Sequence, residues 1–357
     1  MTSVLHVITG LGSGGAEAVL TQLAIALQAR GEQQHVVSLT DGGTHSDELE
    51  EAGVPVTTLG INSTWRIPVG FSRLVRLVRR VRPDVIQGWM YHGNMAAAFT
   101  HRVARKQTRL MWNIRASNMD AGRYGGIIRW NARLSHWPDV VVTNSRASVK
   151  FHEDYGFRPQ RLVVIPNGIN VERYRPDAKL RTRMRKELGL AMDAVVTVNV
   201  ARVDPMKDHQ CFLDAMMELP DAQGLLVGSG TDKLELPSNV KALGLRQDIE
   251  RVYQAADLIV SSSAYGEGFS NALAEGMSSG LVPIATDVGD AGLIIGDTGR
   301  VVPPGSSEIL SAAIEAETLV PPRERRNRGL KARQRILDNF TLAGAVDVYA
   351  RLYESAV

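Results

Sequence analysis

The sequence predicts an α/β protein made of two doubly wound parallel sheets in tandem. Three observations carry that expectation. The chain has 357 residues, long for one compact core and suited to two domains. Short apolar runs alternate with stretches of helical periodicity, the pattern of a parallel sheet with crossover helices. A break at Pro166-Asn167-Gly168-Ile169-Asn170 is followed by the same alternation starting again, without detectable sequence repetition. The expected units are residues 1–168 and 169–340, with a last helix in about 341–357.

Composition narrows the class. Hydrophobic residues make up 44% and charged residues 22%, ordinary for a globular protein. The net charge of +3 is mild, although arginines cluster, and no nucleic-acid-binding motif accompanies them. The single Cys211 excludes a disulfide within the chain and reads as a buried thiol in a reducing compartment. The N-terminus enters a strand without a basic region and long apolar core, so no signal peptide is expected. No apolar run approaches the length of a membrane span. The expected location is the cytoplasm, with room for contact at the inner face of a membrane.

In the first half, Val4–Ile8 is a strand, Thr9-Gly10-Leu11-Gly12-Ser13-Gly14-Gly15 a loop, and residues 16–30 a helix. Gly10, Gly12 and Gly15 match the dinucleotide fingerprint, and Asp41 follows the next strand. Taken alone, the loop would serve a nucleotide-binding oxidoreductase. Further strands are expected at 35–39, 54–59, 84–87, 109–114, 139–143 and 162–165, two of them opened by Pro-Asp. Between them lies a basic amphipathic helix at 69–82. Phe71, Leu74, Val75, Val78 and Val81 share one face, and Arg73, Arg76 and Arg80 lie off it. Its apolar face reads as packed on the sheet and its arginines as solvated or meeting anionic lipid. Residues 127–134 repeat the mix of arginine and apolar side chains.

The second half offers a basic helix at 181–188 and strands at 194–200, 224–227, 240–243, 257–261 and 281–285. Arg202 and Lys207 leave the first of these within one short loop, where open α/β sheets place ligands. They read as a phosphate clamp, a planar fork beside a point charge, or as two solvated cations. Gly228 closes the neighbouring strand as a plain turn or a close backbone approach. The fourth strand runs into Ser261-Ser262-Ser263 and then Glu267-Gly268-Phe269-Ser270-Asn271-Ala272-Leu273-Ala274-Glu275. Two acids thus bracket a strand-to-helix turn, with the amides of Ser270, Asn271 and Ala272 at a helix N-terminus suited to an anion. A phosphate bound there would leave one carboxylate on each side for sugar hydroxyls. Either acid alone could equally face water.

The spacing of Glu267 and Glu275, with Gly268-Phe269 and Asn271 between, resembles the donor-site signature of retaining GT-B glycosyltransferases of family four. Ala201-Arg202-Val203-Asp204-Pro205-Met206-Lys207-Asp208 is similar to that family's diphosphate clamp, and Gly14-Gly15-Ala16-Glu17 to its Gly-Gly-x-Glu acceptor loop. Glu17 could also be a plain acid at a helix start. Leu243-Gly244-Leu245-Arg246-Gln247-Asp248 resembles the loop whose backbone holds the nucleobase.

The resemblance implies the GT-B arrangement, two Rossmann-like domains facing across a cleft, with the last helix returning to the first domain. It implies a bacterial enzyme that moves a sugar, with retention, from a nucleoside-diphosphate sugar to a saccharide acceptor, plausibly lipid-linked, in cell-surface polysaccharide or glycoconjugate synthesis. Glu267 would touch the transferred sugar and Glu275 the ribose. No cofactor is implied. No two aspartates are two apart, so the Asp-x-Asp metal signature is absent, and Arg202, Lys207 and the helix N-terminus would act without metal. The chain departs from the family where a His often follows the fifth strand. It has Asn113-Ile114-Arg115-Ala116-Ser117-Asn118 there, leaving His92 or Arg115 to serve the acceptor side. The competing readings are the oxidoreductase and a non-catalytic sugar-nucleotide binding subunit.

Overall fold

The computed structural model describes residues 1–12, 14–104, 108–116 and 121–355. Ser13 of the glycine loop and Ser117-Asn118 after Arg115 lie outside them. The chain divides into two compact units, Met1–Gly168 with Leu342–Val357, and Ile169–Thr341.

The first unit is a parallel sheet of β1 (Ser3–Ile8), β2 (Gln33–Ser38), β3 (Val56–Thr58), β4 (Val85–Trp89), β5 (Arg109–Ile114), β6 (Val140–Thr143) and β7 (Leu162–Val164). Their order among the described residues is β3-β2-β1-β4-β5-β6-β7. The order reverses beside β1, the place where open sheets leave a crevice at their carboxyl edge. Helices α1 (Gly15–Ala29), α2 (Thr44–Glu51), α3 (Ile67–Val81), α4 (Met90–Ala104), α5 (Ala121–Leu134) and α6 (Arg146–Asp154) supply the crossovers. Strand alternation splits the core in two. Val4 and Ile8 of β1 join Leu20, Leu23, Val36 and Val85 on one face, and Leu5 and Val7 join Leu74, Val78, Ile86 and Trp112 on the other.

The second unit repeats the plan. Helices α7 (Ala178–Glu187), α8 (His209–Met217), α9 (Ile249–Ala255), α10 (Asn271–Ser278), α11 (Ala291–Ile295), α12 (Ser307–Thr318) and α13 (Pro322–Asn339) cover its sheet. The strands are β8 (Val196–Val200), β9 (Gln223–Val227), β10 (Val240–Ala242), β11 (Leu258–Ser261), β12 (Val282–Thr286) and β13 (Arg300–Val302). They order as β10-β9-β8-β11-β12-β13, parallel throughout, with the reversal beside β8. β13 was not expected from the sequence; it is three residues long, and Arg300 and Val301 are exposed, so no apolar run announces it.

The last helix, α14 (Leu342–Glu354), belongs to the first unit. Its Val346, Tyr349, Leu352 and Tyr353 are buried on the face that holds Val4 and Ile8. Tyr353 Oη donates to Gln87 Oε1, and Tyr349 Oη accepts from Asn113 Nδ2 at 2.8 Å. These two phenols tie the chain's end to β4 and β5. Cys211 is buried in α8, and burial pushes its thiol up to about 11, which leaves it unreactive. No helix among the described residues is long and apolar enough to cross a membrane.

Candidate functional site

The charged residues of the second unit gather where β8, β9 and β11 end. After β8 the backbone stays paired with the turn after β9: Val203 N–H donates to Ser229 O at 2.9 Å, and Gly228 has φ +146°. A Cβ on Gly228 would lie 2.0 Å from Ala201 O, so only glycine lets the two loops meet. Asp204 organises the next turn. It accepts from Met206 N–H and from Arg202 Nη2, both at 3.0 Å. Burial alone would raise its carboxyl, but these donors and the Lys207 charge outweigh it and hold Asp204 below the usual carboxylate range. Arg202 is 65% exposed, its guanidinium held by Asp204 at Nη2 and otherwise open.

Lys207 ends the 3₁₀ turn Pro205–Lys207 and reaches Glu267, sixty residues on. The two form an ion pair with side chains 19% and 11% exposed. Ser263 Oγ, just after β11, donates to the same Glu267 oxygen at 2.6 Å. The Glu267 backbone is wedged too. A Cβ on Gly289, which has φ +65°, would come 2.3 Å from Glu267 O, and Asp290 N–H donates to Gly268 O at 3.0 Å. Glu267 is therefore presented in one orientation, held by an ammonium, a hydroxyl and a braced loop.

Glu275 lies one turn inside α10, whose N-terminus carries no side-chain cap. Tyr253 Oη donates to Ala272 O at 3.1 Å and to Glu275 Oε2 at 3.3 Å. Tyr174 crosses the Tyr253 ring edge-on at 6.0 Å, and the Arg173 guanidinium lies 5.5 Å above Tyr174. Burial pushes the Glu275 carboxyl up to about 7, against the pull of the two tyrosine hydroxyls and of Arg173. Near neutral pH this acid sits between its charged and neutral forms. Hydroxyl donors from a ligand would tip it to the carboxylate.

In the first unit, Gly14 and Gly15 open α1, and the Glu17 carboxylate folds back over Gly14, its Oε2 2.1 Å from where a Cβ would stand. His92 is exposed on the first turn of α4, with no hydrogen-bond partner among the described residues. Partial desolvation holds its pKa below 6.5, so the ring is neutral at neutral pH. Met90, two residues earlier, has φ +59°, a strained value for a side chain of this size that turns β4 abruptly into α4. Trp89, also at this junction, donates from Nε1 to His6 Nδ1 at 3.0 Å, and His6 Nε2 reaches Gln34 Oε1 at 2.9 Å. Among the described residues no group of three or more His, Cys, Asp or Glu is placed to hold a metal ion.

Two family matches divide the chain as its two sheets do. Residues 13–173 match Glycosyltransferase Family 4, and residues 194–317 match Glycosyl transferases group 1. Together the two matches cover most of the chain and make it a family-four-like glycosyltransferase. The D-inositol 3-phosphate glycosyltransferase of Rhodococcus erythropolis is 31% identical to it over 52% of this chain and 47% of its own length. The putative glycosyltransferase EpsF of Bacillus subtilis is 24% identical over 80% and 79%. The UDP-Gal:alpha-D-GlcNAc-diphosphoundecaprenol alpha-1,3-galactosyltransferase of Escherichia coli is 30% identical over 36% and 38%. The match thus spans less than half of the Rhodococcus and Escherichia relatives. Anabaena Alr3699/HepE in complex with UDP-glucose has the same fold, with TM-score 0.87, 22% identity, and 99% and 100% of the two chains covered. Sucrose-phosphate synthase of Thermosynechococcus elongatus follows at 0.79, 19% identity, and 99% and 98%. The fold of this glycosyltransferase is GT-B, with two Rossmann-like α/β domains.

Several of the expected site residues of this glycosyltransferase have partners of their own within the fold. Glu267 is not a free acid; Lys207 and Ser263 already hold it. Phe269 cannot offer its side chain to a donor. It is 6% exposed and packs edge-on against Phe340 at 5.4 Å, because the irregular turn points it into the core. Leu245 is 62% exposed, and Arg246 is spent on Asp248 through two 2.8 Å bonds. Arg115 is bound inside its own unit. It donates to Asn167 Oδ1 and to Tyr349 Oη at 2.7 Å, and lies 5.1 Å over the Trp89 ring. Asp41, the acid of the dinucleotide fingerprint, accepts from Asn62 Nδ2 at 2.9 Å. Gly15 and Asp41 of that fingerprint fall inside the Glycosyltransferase Family 4 match. Ser263, Tyr174, Tyr253 and Gly289 escaped the sequence reading. Only the run of three serines after β11 offered a signal, and it pointed to no particular one.

Proposed function

We propose that this enzyme transfers a sugar from a uridine-diphosphate sugar to a saccharide acceptor with retention of anomeric configuration and without metal. The observation that carries the reading is the cluster at the carboxyl edge of the second sheet: Arg202, the Lys207–Glu267 pair, the α10 N-terminus and Glu275. A diphosphate there meets Arg202, Lys207 and the α10 amides. Lys207 exchanges Glu267 for phosphate oxygen, which frees Glu267 to accept from hydroxyls of the transferred sugar. Glu275 accepts from the ribose. The C1–O bond to phosphate breaks and its electron pair leaves with the diphosphate. The acceptor oxygen bonds to C1 on the same face and its proton passes to the departing phosphate oxygen. Fixed cations stabilise the charge that grows on that oxygen. The structural relative holding UDP-glucose supports uridine as the base.

A lipid-linked acceptor agrees with the name of the Escherichia relative and with the surface of the first unit. The buried face of α3, with Leu74, Val75, Leu77 and Val78, packs on the sheet. Arg73, Arg76, Arg79, Arg80 and Arg82 stay exposed, and Trp65, Ile67 and Val69 stand out at its start. That tip and its arginines suit the interface of an anionic membrane at the cytoplasmic face. The test is a panel of UDP-sugars, with chelator present, scored for slow release of UDP. Turnover of at least one donor by the parent, and of none by Lys207→Met, is expected. A panel on which the two proteins behave alike, or activity that appears only when a divalent metal is restored, would remove this reading.

A further inference from the structure

The second unit has a cavity of about 490 Å³ at the amino-terminal edge of its sheet, with Tyr253, which also bonds Glu275, in its lining. Asp257 and Leu281, which line it, immediately precede β11 and β12, and Ala194 lies two residues before β8, whereas Arg202 and Ser263 follow β8 and β11. Strands of four or five residues put roughly 15 Å between the two edges. The volume lies within the range of small-molecule sites, yet the reaction proposed above makes no use of it.

Its walls have a definite chemistry. Arg323, Arg326 and Leu330 fall at helical spacing on one face of α13 and all line the cavity. Most charges around them are already satisfied. Arg181 and Arg185 share Asp257 through 2.6 Å bonds, and Arg325 donates to the carbonyls of Glu317 and Val320 at 3.0 and 2.8 Å. Arg323 and Arg326 are exposed and have no partner among the described residues. The Ser279 hydroxyl, in a lining residue 5% exposed, also lacks a hydrogen-bond partner among the described residues. Met192 and Leu330, which also line it, are 55% and 46% exposed. Two uncommitted guanidiniums one turn apart match the several oxygens of a phosphate monoester. The exposed thioether and leucine match an apolar body, and methionine adapts to varied shapes.

We infer that this cavity is a second binding site, for a phosphate monoester carried on an apolar chain, with its phosphate between Arg323 and Arg326. A free metabolite and a lipid headgroup share that chemistry. The test uses the full chain with saturating UDP to occupy the donor site, titrated calorimetrically with octyl phosphate. The parent binds octyl phosphate and gains thermal stability. Octanol and inorganic phosphate each bind more weakly by about tenfold or more, because each offers half of the contacts. Arg323→Gln/Arg326→Gln alters only exposed side chains and therefore folds; it loses octyl phosphate affinity by at least about tenfold while keeping UDP affinity. Flotation with phosphatidic acid vesicles separates the sources. Recruitment that the double variant loses assigns a lipid, and octyl phosphate binding without recruitment assigns a free ligand. No octyl phosphate binding by the parent, or equal binding by parent and double variant, overturns the proposal.

Discussion

Glu275→Gln keeps the shape of the side chain and removes its proton equilibrium, so it isolates one buried carboxyl. In the fold that carboxyl titrates near 7, against 4.5 ordinarily, chiefly because burial opposes its charge. A raised pKa means that the folded state holds the proton more tightly than the unfolded chain. The favourable contribution is complete below pH 4.5 and is lost as pH rises to about 7, with no further change above. Such a difference corresponds to at most about 3 kcal/mol, and the partial exposure of Glu275 reduces it to about 1–3 kcal/mol. The glutamine carries no such loss. Its stability relative to the parent should be near zero or slightly negative at pH 4.5 and should climb to a gain of about 1–3 kcal/mol at pH 8. In a unit of this size each kcal/mol moves the melting temperature by about 2–4 °C. Calorimetric melting of both proteins across pH 4.5–8, without nucleotide, reads the difference. The same variant should bind UDP more weakly, so stability and function move in opposite directions. A difference that does not change with pH, or a variant less stable than the parent at pH 8, would refute the assignment of the cost to burial of this charge.

Other outcomes follow from the same geometry. Lys207→Met should weaken UDP binding by about 1.5–3 kcal/mol in calorimetry, and should also destabilise the fold by about 3 kcal/mol, since it strands the Glu267 carboxylate. Adding Glu267→Gln should restore the melting temperature but not the binding. Burial lowers His6 and His152 to about 4 in the first unit. Their contributions are complete above 6.5 and lost as pH falls toward 4, about 3 kcal/mol each at the limit. Urea midpoints should therefore fall through that window, and less steeply in His152→Gln. An α-linked donor should give an α-linked product by NMR, and His92→Ala should slow transfer without abolishing it; inversion with complete loss of activity would make His92 a general base. Replacing Arg73, Arg76, Arg79 and Arg80 by Gln should reduce binding to anionic vesicles, at about 1 kcal/mol per cation near the surface, with activity on a soluble acceptor unchanged.

The sequence alone determined whatever depends on near neighbours along the chain. Apolar runs of four to six residues placed most strands to within two residues, because a strand buried on both faces needs such a run. The spacing of Glu267 and Glu275 put one acid in a turn and the other inside α10, since helical rise and a strand-to-helix loop leave little choice. The same local logic placed Arg202 and Lys207 beyond the end of β8. What those groups touch was decided only by tertiary structure. Lys207 meets Glu267 across sixty residues, and Arg115 meets Tyr349 across 234. Nothing local encodes either contact, because one depends on β8 and β11 lying side by side and the other on where α14 docks. The inward turn of Phe269 was likewise hidden, since an irregular loop has no periodicity to tell inside from outside. Gly289 reads as an ordinary turn glycine until the Glu267 carbonyl is found where its side chain would be. The proton affinity of Glu275 belongs wholly to the fold, for a carboxyl acquires it only when other elements close around it and shut out water.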